Sequence, residues 1–311
     1  MIISPLNIRY ALDTPPPALD FVIPGLLAGS VGTIVGPGAV GKSTLLLQLA
    51  VGLATNLPTV KDIFRTDGKP SRIVYIAAEE SASILRNRLH SIGNLIDRKF
   101  SSIGPLADVI GEREQKLMTE NLHLFPAAGD SVCLIKRGEP TDFYDELCRF
   151  CKGARLVVVD PLRRLHDGDE NSSSAMTQVA EMLESLAKRT DAAVIAAHHM
   201  NKNAGFAGNT NAAAASRGSS ALTDAVRWQM NMSLMSDQEA KSFDLLSEQK
   251  SYLKVEYAKT NYIAPQPVIW LKRLKGGGLV SAHPGESGQR MSSPFKKPMV
   301  MTGEEGKPQY V

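Results

Sequence analysis

Gly36-Pro37-Gly38-Ala39-Val40-Gly41-Lys42-Ser43 has the spacing G-x-x-x-x-G-K-[ST], with Thr44 after it. Such residues in this order suit the phosphates of a nucleoside triphosphate. The glycines let the backbone wrap so that several N–H groups point at one anion, and a following helix adds the positive end of its dipole. Lys42 brings a mobile charge to the β- and γ-phosphates, and Ser43 offers a hydroxyl to Mg²⁺. Gly36, Gly38, Ala39, Val40, Gly41, Lys42, Ser43 and Thr44 are therefore the expected nucleotide-binding set.

A triphosphate-bound Mg²⁺ also needs a rigidly held carboxylate, and the apolar run after Arg155 ends in Asp160. Asp160 joins Ser43 as an expected metal ligand, through water. Hydrolysis needs a base near the phosphates, and Glu79 and Glu80 end the apolar run 73–78. Glu79 is the expected base, with Glu80 as a helix N-terminal acid. His198 and His199 end a further apolar run, where one ring can sense the γ-phosphate. Neighbours on a strand point to opposite faces, which argues against joint metal binding. His166 has no such context and reads as a loop residue. Cys148-x-x-Cys151 follows a helical stretch instead of opening one, so packing is expected of it rather than redox chemistry.

These residues need elements that bring them together. From Ser30 onward, short apolar runs at 31–35, 73–78, 156–159 and 193–197 alternate with amphipathic stretches at 42–54, 81–92 and 176–187. That is the pattern of a largely parallel sheet covered by helices. Val226, Trp228, Met230, Met232 and Leu234 alternate with other residues, as do Leu253, Val255 and Tyr257, so later and antiparallel strands are expected. Ser236 to Glu239 has capping-box spacing. Three regions follow: an arm over 1–28 that packs on its own domain or on a neighbouring subunit, an α/β domain over 29–278, and a mobile tail over 279–311. Pro15, Pro16 and Pro17 favour an extended arm.

The chain has 311 residues, 43% hydrophobic and 22% charged, enough apolar material for a full core. A net charge of +3 permits nucleic-acid binding without arguing for it. Residues 21–41 are uncharged, but Pro24, Pro37 and repeated glycines make them poor material for a membrane helix. The start lacks a signal-peptide pattern, and Cys133, Cys148 and Cys151 form an odd set, so a cytoplasmic, reducing location is expected.

Taken together, Pro15 to Pro17, Gly41-Lys42-Ser43, Asp160-Pro161-Leu162-Arg163-Arg164, His198-His199 and Ser216-Arg217-Gly218-Ser219-Ser220 resemble the RecA-like hexameric replicative DNA helicase family, above all its members from broad-host-range IncQ-type plasmids. The resemblance runs from about Pro15 to Gly278. It implies a RecA-like P-loop core using ATP and Mg²⁺, a homo-hexameric ring acting on single-stranded DNA, and plasmid initiator and primase proteins as partners. It makes Glu79 the base, Asp160 the metal ligand, His199 the γ-phosphate sensor and Arg227 an arginine finger serving a neighbouring subunit. Lys259 would meet ATP across the same interface. Arg163, Arg164, Lys202 and Arg217 are the DNA-contact candidates in two loops, with Phe206 for stacking; Arg163 and Arg164 could equally form a solvated face. The rivals are a RecA-like recombination ATPase and an ATP-switched regulator without unwinding activity.

Overall fold

The computed structural model describes residues 5–57, 64, 68–100, 111–199 and 221–284, without the side chains of 94–100. After helix α1 (Ile8–Asp13) come a hairpin of β1 (Phe21–Ile23) and β2 (Leu26–Leu27), strand β3 (Val31–Gly36) and helix α2 (Lys42–Thr55). Strand β4 (Ile73–Ala77), helices α3 (Ala82–Phe100) and α4 (Glu112–Asn121) and strand β5 (Leu122–Pro126) follow. A small hairpin of β6 (Ile135–Lys136) and β7 (Glu139–Pro140) leads to α5 (Asp142–Phe150), β8 (Leu156–Asp160), α6 (Ser173–Thr190) and β9 (Ala193–His199). The rest is α7 (Ala221–Ala225), β10 (Trp228–Leu234), α8 (Asp237–Ser242), β11 (Tyr252–Thr260), β12 (Ile269–Arg273) and β13 (Leu279–Ala282).

The main sheet has the order β13-β12-β11-β10-β3-β9-β8-β4-β5. From β10 to β5 every pair is parallel, and from β10 to β13 every pair is antiparallel, as the alternation of apolar runs implied. The central strands are buried along their whole length because helices cover both faces. Successive side chains feed different cores: Val158 packs with α2, while Val157 and Val159 pack with α5 and α6. Helix α6 presents Met176, Val179, Ala180, Leu183, Leu186 and Ala187 as one buried stripe, and Ser172 caps its start. Ser236 and Glu239 form the expected capping box of α8.

Val22, Ile23 and Leu26 are buried, and Trp228 Nε1 donates to Pro24 O at 3.0 Å, so the β1–β2 hairpin packs on its own domain, one of the two placements expected for the arm. Residues 5–20 are exposed almost throughout; α1 buries nothing and leaves Leu6, Ile8, Tyr10 and Leu12 in solvent. Arg155 grips Asp20 with two guanidinium nitrogens at the root of this segment. At the other end, the glycine run 276–278 is a turn, closed by Leu274 N–H donating to Gly278 O at 2.9 Å, and β13 continues the sheet beyond it. Buried Gln48 of α2 locks that strand, donating to Leu279 O and accepting from Leu279 N–H at 2.8 Å each. Of the expected tail, residues 285–311 lie outside the described residues.

Trp228 joins the hairpin to the sheet: it is fully buried and stacks edge-on against Tyr257 at 6.1 Å. Trp228→Ala should cost about 3–5 kcal/mol in urea unfolding, the size of a buried aromatic deletion. Trp228→Phe should cost less, since only the bond to Pro24 and part of the ring are lost.

Candidate functional site

All the parallel strands end at one edge of the sheet, and the expected chemical residues lie just past those ends. The loop between β3 and α2 is shaped by backbone constraints. Gly41 has φ +113°, a conformation L side chains rarely adopt, and a Cβ at Gly36 would stand 2.6 Å from Met232 O. Helix α2 has no side-chain cap and no acid in its first turn, which suits an anion at its N-terminal N–H groups. Lys42 is buried, with Nζ donating to Gly36 O at 2.8 Å and Pro37 O at 2.9 Å. Its charge therefore lies within the loop and not in bulk solvent.

A cleft of about 400 Å³ gathers Ala39, Gly41, Lys42, Ser43 and Thr44 with Glu79, Asp160 and His199. Asp160, at the end of β8, is held by Tyr75 of β4, whose hydroxyl donates to Oδ2 at 2.6 Å. The same hydroxyl lies 3.4 Å from Ser43 O, tying β4 to the end of β8 and to the first turn of α2. Burial, then the Asp160 charge, pushes Tyr75 well above its ordinary range, so it stays a donor. His199 faces the cleft, whereas His198 is buried on the other face, 3.7 Å from Glu170, as strand alternation requires. Ser43 and Asp160 are two oxygen donors in one cleft, and no cluster of three or more ligating side chains forms among the described residues. That sparse set fits a Mg²⁺ that takes its other ligands from phosphates and water.

Glu79 and Glu80 have different partners. Glu79 pairs with Arg164 at 3.1 Å, while Glu80 pairs with Arg88, whose Nη1 also donates to Thr44 Oγ1 at 2.9 Å. Arg163 folds back instead, donating to the carbonyls of His166 and Gly168. Arg227 and Lys259 do not line the cleft. Trp228 pairs with Gly32, so Arg227 sits at the amino-terminal edge of the parallel strands, while the phosphate loop begins at Gly36 on the opposite edge. Four residues of strand separate them, about 13 Å before the loop is added. Lys259, opposite Gln229, donates to Thr223 O and Asp224 O, and burial with Arg227 close by lowers its pKa. Lys202, Phe206 and Arg217 lie outside the described residues.

Sequence reading missed Arg88, Arg273 and Tyr75. Arg88 stands beside the apolar stripe Leu85-Leu89-Ile92 of α3, where a polar-face arginine gives no distinguishing signal. Arg273 reaches the phosphate loop from β12, donating to Ala39 O at 3.2 Å and Val40 O at 2.8 Å, and only the antiparallel extension brings it there. His166 lies in the connection between β8 and α6, as a loop residue should, but it is buried near Glu170 and His198, and burial lowers its pKa. Cys148 and Cys151 are buried in the α5–α6 core, and burial pushes the Cys151 thiol up to about 12, in line with packing.

Residues 5–205 match the AAA domain family. DNA repair protein RadA of Escherichia coli (strain K12) is 25% identical over 189 residues, covering 59% of this chain and 30% of RadA. RadA of Synechocystis sp. is likewise 25% identical, over 190 residues that cover 59% of this chain and 31% of that protein. The chain thus spans less than a third of the length of these curated relatives. Among solved structures, one ATPase domain superposes with a TM-score of 0.56 at 17% identity, covering 82% of this chain and 86% of that one. A DnaB-like replicative helicase, solved with attention to its interactions with primase, gives 0.55 at 18%, covering 81% and 57%. The fold is that of a RecA-like P-loop ATPase. Among the described residues no helix is long and apolar enough to cross a membrane.

Lys42→Ala should weaken nucleoside triphosphate binding and lower any turnover by at least roughly 10²-fold, as for loss of a preorganised electrostatic group. A fluorescent nucleotide titration and a phosphate-release assay measure the two effects.

Proposed function

Because the chain belongs to the AAA domain family, we propose that it is an ATP-dependent DNA helicase of plasmid replication similar to RepA, a ring-forming motor that moves single-stranded DNA. The observation that carries this reading is the division of the site. Lys42, Ser43, Glu79, Asp160 and His199 share one cleft, while Arg227 stands at the opposite edge of the sheet. Subunits arranged head to tail bring one edge against the other, and six of them close a ring. The exposed apolar segment around α1 suits docking on a neighbour.

In this reading Lys42 and the amides at the start of α2 bind and orient the triphosphate. Ser43 and Asp160 would hold Mg²⁺, which would supply neutralisation of phosphate charge there. Glu79 orients and polarises the attacking water, and His199 senses the γ-phosphate and passes its state to the segment beginning at Met200. Arg227 of a neighbour stabilises charge developing on the γ-phosphate, with Lys259 beside it. Arg163, Arg164, Lys202 and Arg217 are the residues proposed to meet DNA phosphates without reading sequence. Initiator and primase proteins of a plasmid replicon are the partners proposed, in the cytoplasm.

The likeness to RadA favours a second reading, a RecA-like recombination ATPase that forms open filaments. Closed rings in electron micrographs with ATP and single-stranded DNA support the helicase, and open filaments support the rival. A forked duplex separated in the presence of ATP supports the motor; strand annealing or ATP-gated binding without separation counts against it. Glu79→Gln should keep ATP binding and lose turnover by roughly 10²–10⁴-fold, since an amide fills the place of the base without accepting a proton. Parallel binding and phosphate-release measurements check both halves.

A further inference from the structure

We infer that the Arg164–Glu79 ion pair is a latch on the base, released when a DNA phosphate takes the guanidinium; this rests on the ATPase reading of the cleft. Arg164 lies on the short 3-10 turn Leu162–Leu165, which follows Asp160 and Pro161. Three residues per turn place Leu162 and Leu165 on one side, where both are buried, and this turns Arg163 and Arg164 outward. The two arginines then differ in task. Arg163 Nη1 donates to His166 O at 3.2 Å and closes the loop on itself, whereas Arg164 Nε crosses to Glu79 Oε1 at 3.1 Å. Glu80 has its own guanidinium in Arg88, so Arg164 is not shared between the two acids.

The pair spans two neighbouring segments at the same edge of the sheet, the loop after β8 and the turn after β4, where Ala78 N–H already donates to Asp160 O at 2.8 Å. A carboxylate oxygen that accepts from a guanidinium is less available to accept a proton from water. The side chains of Arg164 and Glu79 are 60% and 49% exposed, so the bond is weak and open to a competitor. A phosphodiester offers a guanidinium two charged oxygens in matching geometry, which a single carboxylate oxygen does not. Single-stranded DNA along the 161–174 segment therefore draws Arg164 away. Glu79 then accepts a proton from the water whose oxygen bonds to the γ-phosphorus, as the β–γ bridging oxygen leaves with ADP. Arg164 acts through Glu79 and is a positioning residue.

The test uses the full chain with ATP, with and without a single-stranded oligo-dT, and separates kcat from KM. In the wild type the oligonucleotide should raise kcat with little change in KM for ATP. Arg164→Ala should raise the DNA-free kcat roughly two- to fivefold, the equilibrium weight of an exposed ion pair, and should flatten the response to DNA. Arg164→Lys, which keeps a pairing charge, should restore part of that response. A lower DNA-free kcat in Arg164→Ala, or equal stimulation of variant and wild type, overturns the latch while leaving the ATPase reading intact. So does a wild type that hydrolyses ATP without responding to the oligonucleotide. A wild type with no turnover under either condition overturns the ATPase reading and the latch together.

Discussion

A triphosphate brings several negative charges into a space only a few ångströms wide, and the answer in this chain is one edge of a parallel sheet. Strands β3, β4, β8 and β9 run the same way, so Gly36, Ala77, Asp160 and His199 finish side by side. Crevices beyond the carboxyl ends of such strands are where α/β folds bind ligands. Everything else in the site follows from that alignment. Tyr75 can bond both Asp160 and Ser43 because β4 and β8 are neighbours in register, and Arg273 reaches the phosphate loop because β12 points the same way as β3.

The same alignment keeps Arg227 away from the cleft. Residues that precede a parallel strand stand at the other edge, and Arg227 precedes β10. No side-chain rotation spans the length of a strand. Either Arg227 serves only its local surroundings, beside Lys259, or it serves a second copy of the chain. The exposed apolar residues around α1 suit the second alternative, since they leave apolar surface for a neighbour to cover.

Local chemistry made much of this legible before the structure. The phosphate loop, the acid ending β8, the capping box at Ser236 and the opposite faces of His198 and His199 all depend on spacing within a few residues, which a sequence displays directly. What stayed hidden depends on distant pairing. Arg273 meets Val40 across more than two hundred residues, and Gln48 recognises the backbone of β13 over a similar span. Glu79 and Arg164 were both singled out, one for catalysis and one for DNA, yet nothing local signals that they touch. The glycine run at 276–278 marks a turn, but a turn ends a domain only when no strand beyond it joins the sheet, and here β13 does.

The central claim is that the cleft becomes an ATPase only when a second subunit supplies Arg227, and subunit mixing tests it most directly. Lys42→Ala subunits lack the phosphate-binding charge, and Arg227→Ala subunits lack the residue offered to a neighbour. Each assembly alone should hydrolyse ATP poorly. After exchange, mixed assemblies contain interfaces where an intact Lys42 cleft faces an intact Arg227, and the account predicts that turnover rises above the sum of the separate variants. Exchanged assemblies that show no gain would contradict a shared site.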